Sequence, residues 1–240
     1  ATHGSEQRNH DPPAWMTMTA KNQSTDVDQI YCLGDVVGYG ADPNPCCDLI
    51  RERCVATLLG NHDAAVVGLQ DLAYFNPHPR RAAEWTAEQL DDAERQYLAA
   101  LPLILEQGEA LFVHAEPNRP IEWGYVVDLA DAQRALMAIA QRFCFVGHSH
   151  YPLLCAECDG EVKMVAAGPI QTQSRYLANV GSVGQPRNGD PRACVSHSET
   201  KPQKPRNGAR PVRRKKTQHK IIAADLPPIL AQRLAQGYSS

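Results

Sequence analysis

An α/β fold with mixed sheets is what this sequence predicts, on three observations. Short apolar runs alternate with amphipathic stretches through the first half of the chain, the pattern of strands connected through helices. From Phe143 onward strand-like runs dominate, which adds a more antiparallel set. Clusters of Asp, Asn and His recur where apolar runs end, and open α/β sheets gather their ligands at the carboxyl ends of strands.

The elements follow in order. Gln29 to Leu33 (QIYCL) reads as a buried strand running into Gly34-Asp35. Asp42-Pro43-Asn44-Pro45 marks a helix start, because proline suits a first turn, and Cys46 to Arg53 continues it. Val55 to Leu59 is the next strand and delivers Asn61 and His62, with a helix over Ala64 to Leu72 after it. Pro79 to Leu90 and Asp92 to Leu101 read as amphipathic helices, with Trp85, Leu90, Tyr97 and Leu98 facing inward. Leu103 to Leu105 and Ala110 to Val113 form a hairpin around Gln107-Gly108. Leu129 to Ala140 is Ala-rich and helical, and Phe143 to Val146 is a strand ending at Gly147-His148. Leu153 to Cys155, Val162 to Val165 and Tyr176 to Val180 are further strands, with Asp159-Gly160 as a hairpin turn.

At 240 residues the chain can bury one substantial core, and it divides into four stretches. Residues 1–26 are polar and irregular. Residues 27–195 are the folded domain. Residues 196–220 are basic (KPQKPRNGARPVRRKK) and too poor in apolar surface to order themselves, so a mobile segment without strands is expected there. Residues 221–240 recover a helix, with Leu230 and Leu234 on one face. The absence of an initiator Met reads as a processed, truncated or partial start.

A net charge of −3 gives no overall pull toward nucleic acid or membrane. The basic stretch leaves RNA or DNA as an alternative partner, to be recognised by a steep salt dependence. No apolar run approaches the ~20 residues of a membrane span, and no signal peptide opens the chain. Of the eight cysteines, Cys32 and Cys144 lie in apolar runs, and Cys155-x-x-Cys158 lacks a second pair at zinc-finger spacing. Structural, reduced thiols in a cytoplasmic compartment are expected, with zinc or redox chemistry the alternative.

Four clusters carry the chemistry: Gly34-Asp35-Val36-Val37-Gly38, Gly60-Asn61-His62-Asp63, Val113-His114 and Gly147-His148-Ser149-His150. They offer only oxygen and imidazole ligands, a set that suits Mn, Fe, Zn or Ni without thiolate. Asp35 has two oxygens and a charge with which to bridge two cations. Alone, a Gly-Asp pair is as readily a strand-end turn, and Asn-His-Asp as readily a helix cap. Four such clusters in succession argue for one metal site. His148 and His150, one residue apart, point to the same face if that segment is extended.

In this order GDVVG, GNHD, VH and GHSH resemble the calcineurin-like metallophosphoesterase superfamily. The stretches Leu33 to Gly40 (LGDVVGYG), Phe75-Asn76-Pro77-His78 and Asn179 to Arg192 (NVGSVGQPRNGDPR) resemble its small bacterial and archaeal phosphodiesterase branch. The likeness runs roughly from Val27 to Ala193. It implies a two-sheet mixed β-sandwich flanked by helices, with two divalent metal ions at the loop tips. The implied activity is hydrolysis of phosphomonoesters or phosphodiesters by direct attack of a metal-bound hydroxide, on a small phosphate ester or nucleotide.

The resemblance also implies roles. Asp35 would bridge the metals. Asn61, His114 and His148 would complete the second, and His3 and His150 would serve the first. His62 would be the general acid, with Asp63 orienting its imidazole or holding it protonated. Arg187 or Arg192 would reach phosphate oxygens, since a guanidinium matches two of them; a glycine-built turn is the alternative for this stretch. Asn76 and His78 would line the substrate side, or mark a helix boundary. The family pattern opens with Asp-x-His after a buried strand, whereas this chain reads Ala1-Thr2-His3, so the opening strand is missing and the first metal is expected to bind poorly. His10-Asp11 is the nearby replacement. The rival reading is a degenerate, weakly active or inactive homologue that binds phosphate ligands or a protein partner.

Overall fold

A computed structural model describes residues 27–197, 206–210 and 214–238. The expectations for Ala1, His3 and His10-Asp11 lie outside these residues.

The main layer is a six-stranded mixed sheet in the order β3-β4-β5-β8-β6-β7. Its strands are β3 (Ile104–Gln107), β4 (Ala110–Val113), β5 (Phe143–Val146), β6 (Pro152–Cys158), β7 (Glu161–Met164) and β8 (Arg175–Val180). β4, β5 and β8 run parallel, and the flanking strands pair antiparallel. Period-two alternation divides the faces of this sheet. Leu111 and Val113 of β4, Cys144 and Val146 of β5 and Leu177 of β8 pack with Ala132, Ala135 and Leu136 of helix α5 (Leu129–Met137). On the other face Phe112 and Phe145 stack with centroids 5.1 Å apart, and Tyr31 stacks on Phe112 at 4.5 Å. Tyr31 belongs to β1 (Tyr31–Cys32), which pairs parallel with β2 (Ala56–Thr57). The β1–β2 pair therefore forms a second layer against the aromatic face.

Four helices cover the far side of β1–β2: α1 (Pro43–Arg53), α2 (Asn61–Val66), α3 (Pro77–Gln89) and α4 (Asp92–Ala99). Val36, Val37, Cys46, Cys47, Ile50, Val66, Ala83, Leu90 and Leu98 make the core there, with Tyr97 packed against it. The inward placement expected of Leu90, Leu98 and Tyr97 holds, and Trp85 packs instead with the C-terminal helices. The sequence expectation of a helix over Ala64 to Leu72 is corrected: α2 begins at Asn61 and ends at Val66. Gly68 stops it in the left-handed region, with Gly68 N–H donating to Ala65 O at 3.1 Å and Leu69 N–H to Ala64 O at 2.8 Å, a Schellman closure.

The expectation that 196–220 holds no strands is also corrected. β9 (Ala193–His197) pairs antiparallel with β10 (Arg206–Arg210), and α6 (Arg214–Ala223) starts within the basic run. A backbone ladder orders β10 whatever its side chains are, so composition could not reveal it. α6 is held by buried Ile221 and by Lys220 Nζ on Asp42 Oδ1 at 2.6 Å. It joins α7 (Pro228–Gln236), whose Leu230 and Leu234 face inward as expected, and both pack on Ala82 of α3. All eight cysteines are free. Cys155 is buried and Cys158 exposed on β6, as an odd separation on a strand requires, so they do not form one site. Among the described residues no helix is long and apolar enough to cross a membrane.

Candidate metal centre

Each cluster follows a strand of the layers just described. β1 leads into Gly34 (φ 96°) and Asp35 (φ 54°), both in the left-handed region. β2 leads into Gly60 and the start of α2. These two loops touch: a Cβ on Gly60 would overlap the backbone nitrogen and carboxylate of Asp35, so only glycine permits the approach. Asp35 Oδ1 then accepts the His62 backbone N–H at 2.9 Å.

β4 delivers His114, which is 3 % exposed. Its Nδ1 lies 2.7 Å from Leu33 O and donates to it, which turns the Nε2 lone pair toward the cluster. That Nε2 lies 3.2 Å from His148 Nδ1, 3.3 Å from Asn61 Oδ1 and 3.4 Å from Asp35 Oδ2. Asp35, His114 and His148 can each present one ligand atom with all three within 4.8 Å of one another.

β5 delivers the Gly147-His148-Ser149-His150 turn. The extended geometry considered for it does not occur, because His148 (φ 60°) and His150 (φ 62°) are both left-handed. Non-glycine residues in that region carry strain that the surroundings must hold. Asn179, fully buried, does much of the holding: its Nδ2 lies 2.9 Å from Gly147 O, 2.7 Å from Ser149 Oγ and 3.1 Å from Val126 O. His150 Nδ1 donates to Gln185 O at 2.7 Å. His150 stands apart from the three-residue group.

His62 is 4 % exposed. Its ring lies between Tyr39 (centroids 4.4 Å) and Phe75 (4.9 Å), and its buried Nδ1 has no hydrogen-bond partner among the described residues. The expectation that Asp63 orients this imidazole is corrected. Asp63 Oδ1 accepts from Val37 N–H at 3.2 Å and Oδ2 from Gly60 N–H at 3.1 Å. Its carboxylate ties the two ligand loops together and caps α2. Aromatic packing orients His62 instead.

Electrostatics follow from burial and proximity. Burial pushes the Asp35 carboxyl up, but His114 and His62 more than reverse this and hold it well below the carboxylate range. Burial disfavours protonated His114, and Asp35 outweighs it, so the net shift is upward. Burial and then His114 lower His148 to about 3; burial and then Arg187 lower His150 to about 3. His62 is lowered by burial against the pull of Asp35. Asp63 is raised to about 7 by burial and then by the charge of Asp35.

This donor set fits a divalent ion. His148 and His150 are neutral imidazoles near pH 7. His114 and His150 spend the second ring nitrogen on a backbone carbonyl, the arrangement that fixes a ligating tautomer. His148 Nδ1, Asn61 Oδ1 and Asp35 Oδ2 all lie within 3.4 Å of His114 Nε2, an arrangement that needs a proton or a cation between them.

The remaining expected residues divide. Arg187 reaches the site, with Nη2 3.2 Å from Tyr39 Oη and its backbone N–H 3.4 Å from His150 O. Arg192 is half exposed and is spent on Asp190 at 2.5 Å. Asn76 and His78 are exposed, and Asn76 is the N-cap residue of α3, as the helix-boundary alternative has it. Sequence reasoning missed Tyr39, Asn179 and Gln185, although all three lie inside the stretches it quoted. It also missed Tyr125, stacked on His148 at 4.3 Å, and Trp123, edge-on to His114 at 5.9 Å. No spacing marks these two.

A family model described as the calcineurin-like phosphoesterase superfamily domain matches residues 2–201. An uncharacterized protein of Methanocaldococcus jannaschii, MJ0912, is 36 % identical over 218 residues, spanning 88 % of this chain and 87 % of the relative. The crystal structure of a metallophosphoesterase from Sphaerobacter thermophilus is 37 % identical, with a TM-score of 0.77 over 88 % of this chain and 89 % of that one. The hypothetical protein PH1004 of Pyrococcus horikoshii shares the fold at 17 % identity, with a TM-score of 0.72 over 90 % and 87 % of the two chains. The four strand-end clusters, the mixed sheet that presents them and these likenesses agree: the chain belongs to the calcineurin-like phosphoesterase superfamily.

Proposed function

We propose that this chain hydrolyses phosphomonoesters or phosphodiesters of small molecules or nucleotides at a site for two divalent ions. The observation that carries the reading is the meeting of Asp35 Oδ2, Asn61 Oδ1 and His148 Nδ1 at His114 Nε2. When bound, such a pair of ions supplies a nucleophile at neutral pH and neutralises phosphoryl oxygens.

The chain's own residues would act as follows. Asp35 would help to hold both ions, its two oxygens facing different partners, His62 N–H and His114 Nε2. Asn61, His114 and His148 would hold the second ion, and His150 would hold the first, for which the sequence also offers His3. His62 gives its proton to the leaving-group oxygen. Burial lowers its pKa, and an arriving phosphate anion offsets this by favouring imidazolium. Arg187 meets a non-bridging oxygen. Mn, Fe, Zn and Ni all accept this ligand set, and availability decides among them. Eight unpaired thiols suit a reducing, cytoplasmic setting.

The test is turnover of p-nitrophenyl phosphate and bis-p-nitrophenyl phosphate by Mn-loaded protein, with EDTA, Asp35→Asn and His114→Ala as controls. Hydrolysis of at least one ester that all three controls abolish is expected. Failure to turn over either ester while metal stays bound would reject the proposal.

A further inference from the structure

Tyr39 has no assigned part in the chemistry, yet it meets His62, His150 and Arg187. Gly38, in the left-handed region at φ 115°, turns the chain so that Tyr39 follows the Asp35 loop back over the site. The Tyr39 ring lies 4.4 Å from that of His62 and meets His150 edge-on at 6.3 Å. It also packs against the C-terminal helix cluster of Ile221, Leu226 and Leu230. Its hydroxyl accepts from Arg187 Nη2 at 3.2 Å.

Arg187 makes this contact informative. Its buried Nε has no hydrogen-bond partner among the described residues. Among the described residues no carboxylate pairs with it. A guanidinium offers five donors, and a partly buried one without a counter-charge is costly. The acceptor it does have is a phenol, which is neutral at pH 7 and so leaves the full positive charge available. A carboxylate in that place would quench it. The backbone N–H of Arg187 meets His150 O at 3.4 Å, which sets the start of this side chain beside the cluster that would receive an anion.

We infer that Tyr39 is a positioning residue that holds Arg187 toward an incoming phosphoryl group and sets it in register with the His62 ring. This rests on the phosphoesterase reading above and adds a specific partner to it. The hydroxyl serves Arg187, and the ring serves His62. The two functions are therefore separable by substitution.

The test uses the full chain loaded with Mn and inorganic phosphate as the probe, with affinity read by calorimetry. Tyr39→Phe keeps the ring and removes the hydroxyl, and should weaken phosphate about tenfold, the scale of a hydrogen bond to a charged group. Arg187→Gln should weaken it at least as much, and the double variant should be no weaker than Arg187→Gln alone. Arg187→Lys keeps the charge but lacks the fork, and should lose its sensitivity to Tyr39→Phe. In turnover of p-nitrophenyl phosphate, KM should rise more than kcat falls for Tyr39→Phe. A purely structural role would lower the melting temperature and leave phosphate affinity unmoved. Wild-type affinity in Tyr39→Phe, or losses that multiply in the double variant, would overturn the assignment while leaving the phosphoesterase reading intact. A wild-type protein that neither binds phosphate nor turns over an ester would overturn both.

Discussion

Gly38 presents its bare Cα to Nδ1 of His62: a Cβ built there would overlap the imidazole ring. The same residue sits at φ 115°, where an L side chain is strained. Gly38→Ala should therefore cost about 1–3 kcal/mol of stability and displace His62. A urea melt measures the first, and ester turnover at unchanged metal content measures the second. Full activity in a folded Gly38→Ala protein would show that His62 need not occupy this position.

His62→Ala should slow turnover of an ester with a poor leaving group by about 10²-fold or more, the usual scale for a lost general acid. An activated p-nitrophenyl ester should suffer less, because its leaving group needs little protonation. Metal content should stay normal, since His62 packs between Tyr39 and Phe75 and lies outside the Asp35, His114 and His148 group. Loss of metal instead would make His62 a ligand.

The two metal positions should separate genetically. His114 meets Asp35, Asn61 and His148, whereas His150 stands apart on Gln185 O. Titration with Mn should show that His114→Ala removes the tighter site and that His150→Ala spares it. Equal loss from both substitutions would mean that the ions bind only as a pair.

Asn179→Ala should cost about 1–3 kcal/mol for the buried groups it leaves unpaired. Its amide holds Gly147 O, Ser149 Oγ and Val126 O, so the strained turn carrying His148 and His150 loses its tie. Metal affinity should fall along with stability. A variant that loses stability and keeps metal affinity would show that the turn is held elsewhere.

In the metal-free protein, His148 and His150 should draw stability down as pH falls, against the opposite pull of Asp63 and His114. His148 and His150 have an ordinary pKa of 6.5 and a folded value of about 3. The unfolded chain therefore takes up their protons first, so this contribution is complete above about pH 6.5 and disappears by about pH 3. His150→Gln should flatten the slope in that window. An unchanged slope in urea melts from pH 7 to pH 4 would count against a buried neutral His150.

Thiol accessibility gives a check on the fold. Cys158 is exposed, while Cys46, Cys47, Cys144 and Cys155 are buried. Burial raises Cys54 to about 11 and Cys144 to about 12, and a thiol reacts as its thiolate. One fast-reacting cysteine is expected in the native protein at neutral pH, and all eight after unfolding.

The sequence by itself determined the alternation of strands and helices, the hairpin at Gln107-Gly108 and the order of the ligand clusters. These rest on local patterns: side-chain periodicity, turn chemistry and residue types at strand ends. Its errors mark where local pattern stops. The Asp63 carboxylate sits next to His62 in sequence, yet it serves the backbone of Val37 and Gly60 because the chain folds those loops onto it. β10 forms within a stretch whose composition denies it order, because a ladder with β9 satisfies its backbone. Only the tertiary structure decided that His114 Nε2 faces His148 Nδ1, that Asn179 ties down the His148 turn, and that Tyr39 meets Arg187 across 148 residues of chain. Such contacts depend on where separate strands end in space, which sequence distance does not encode.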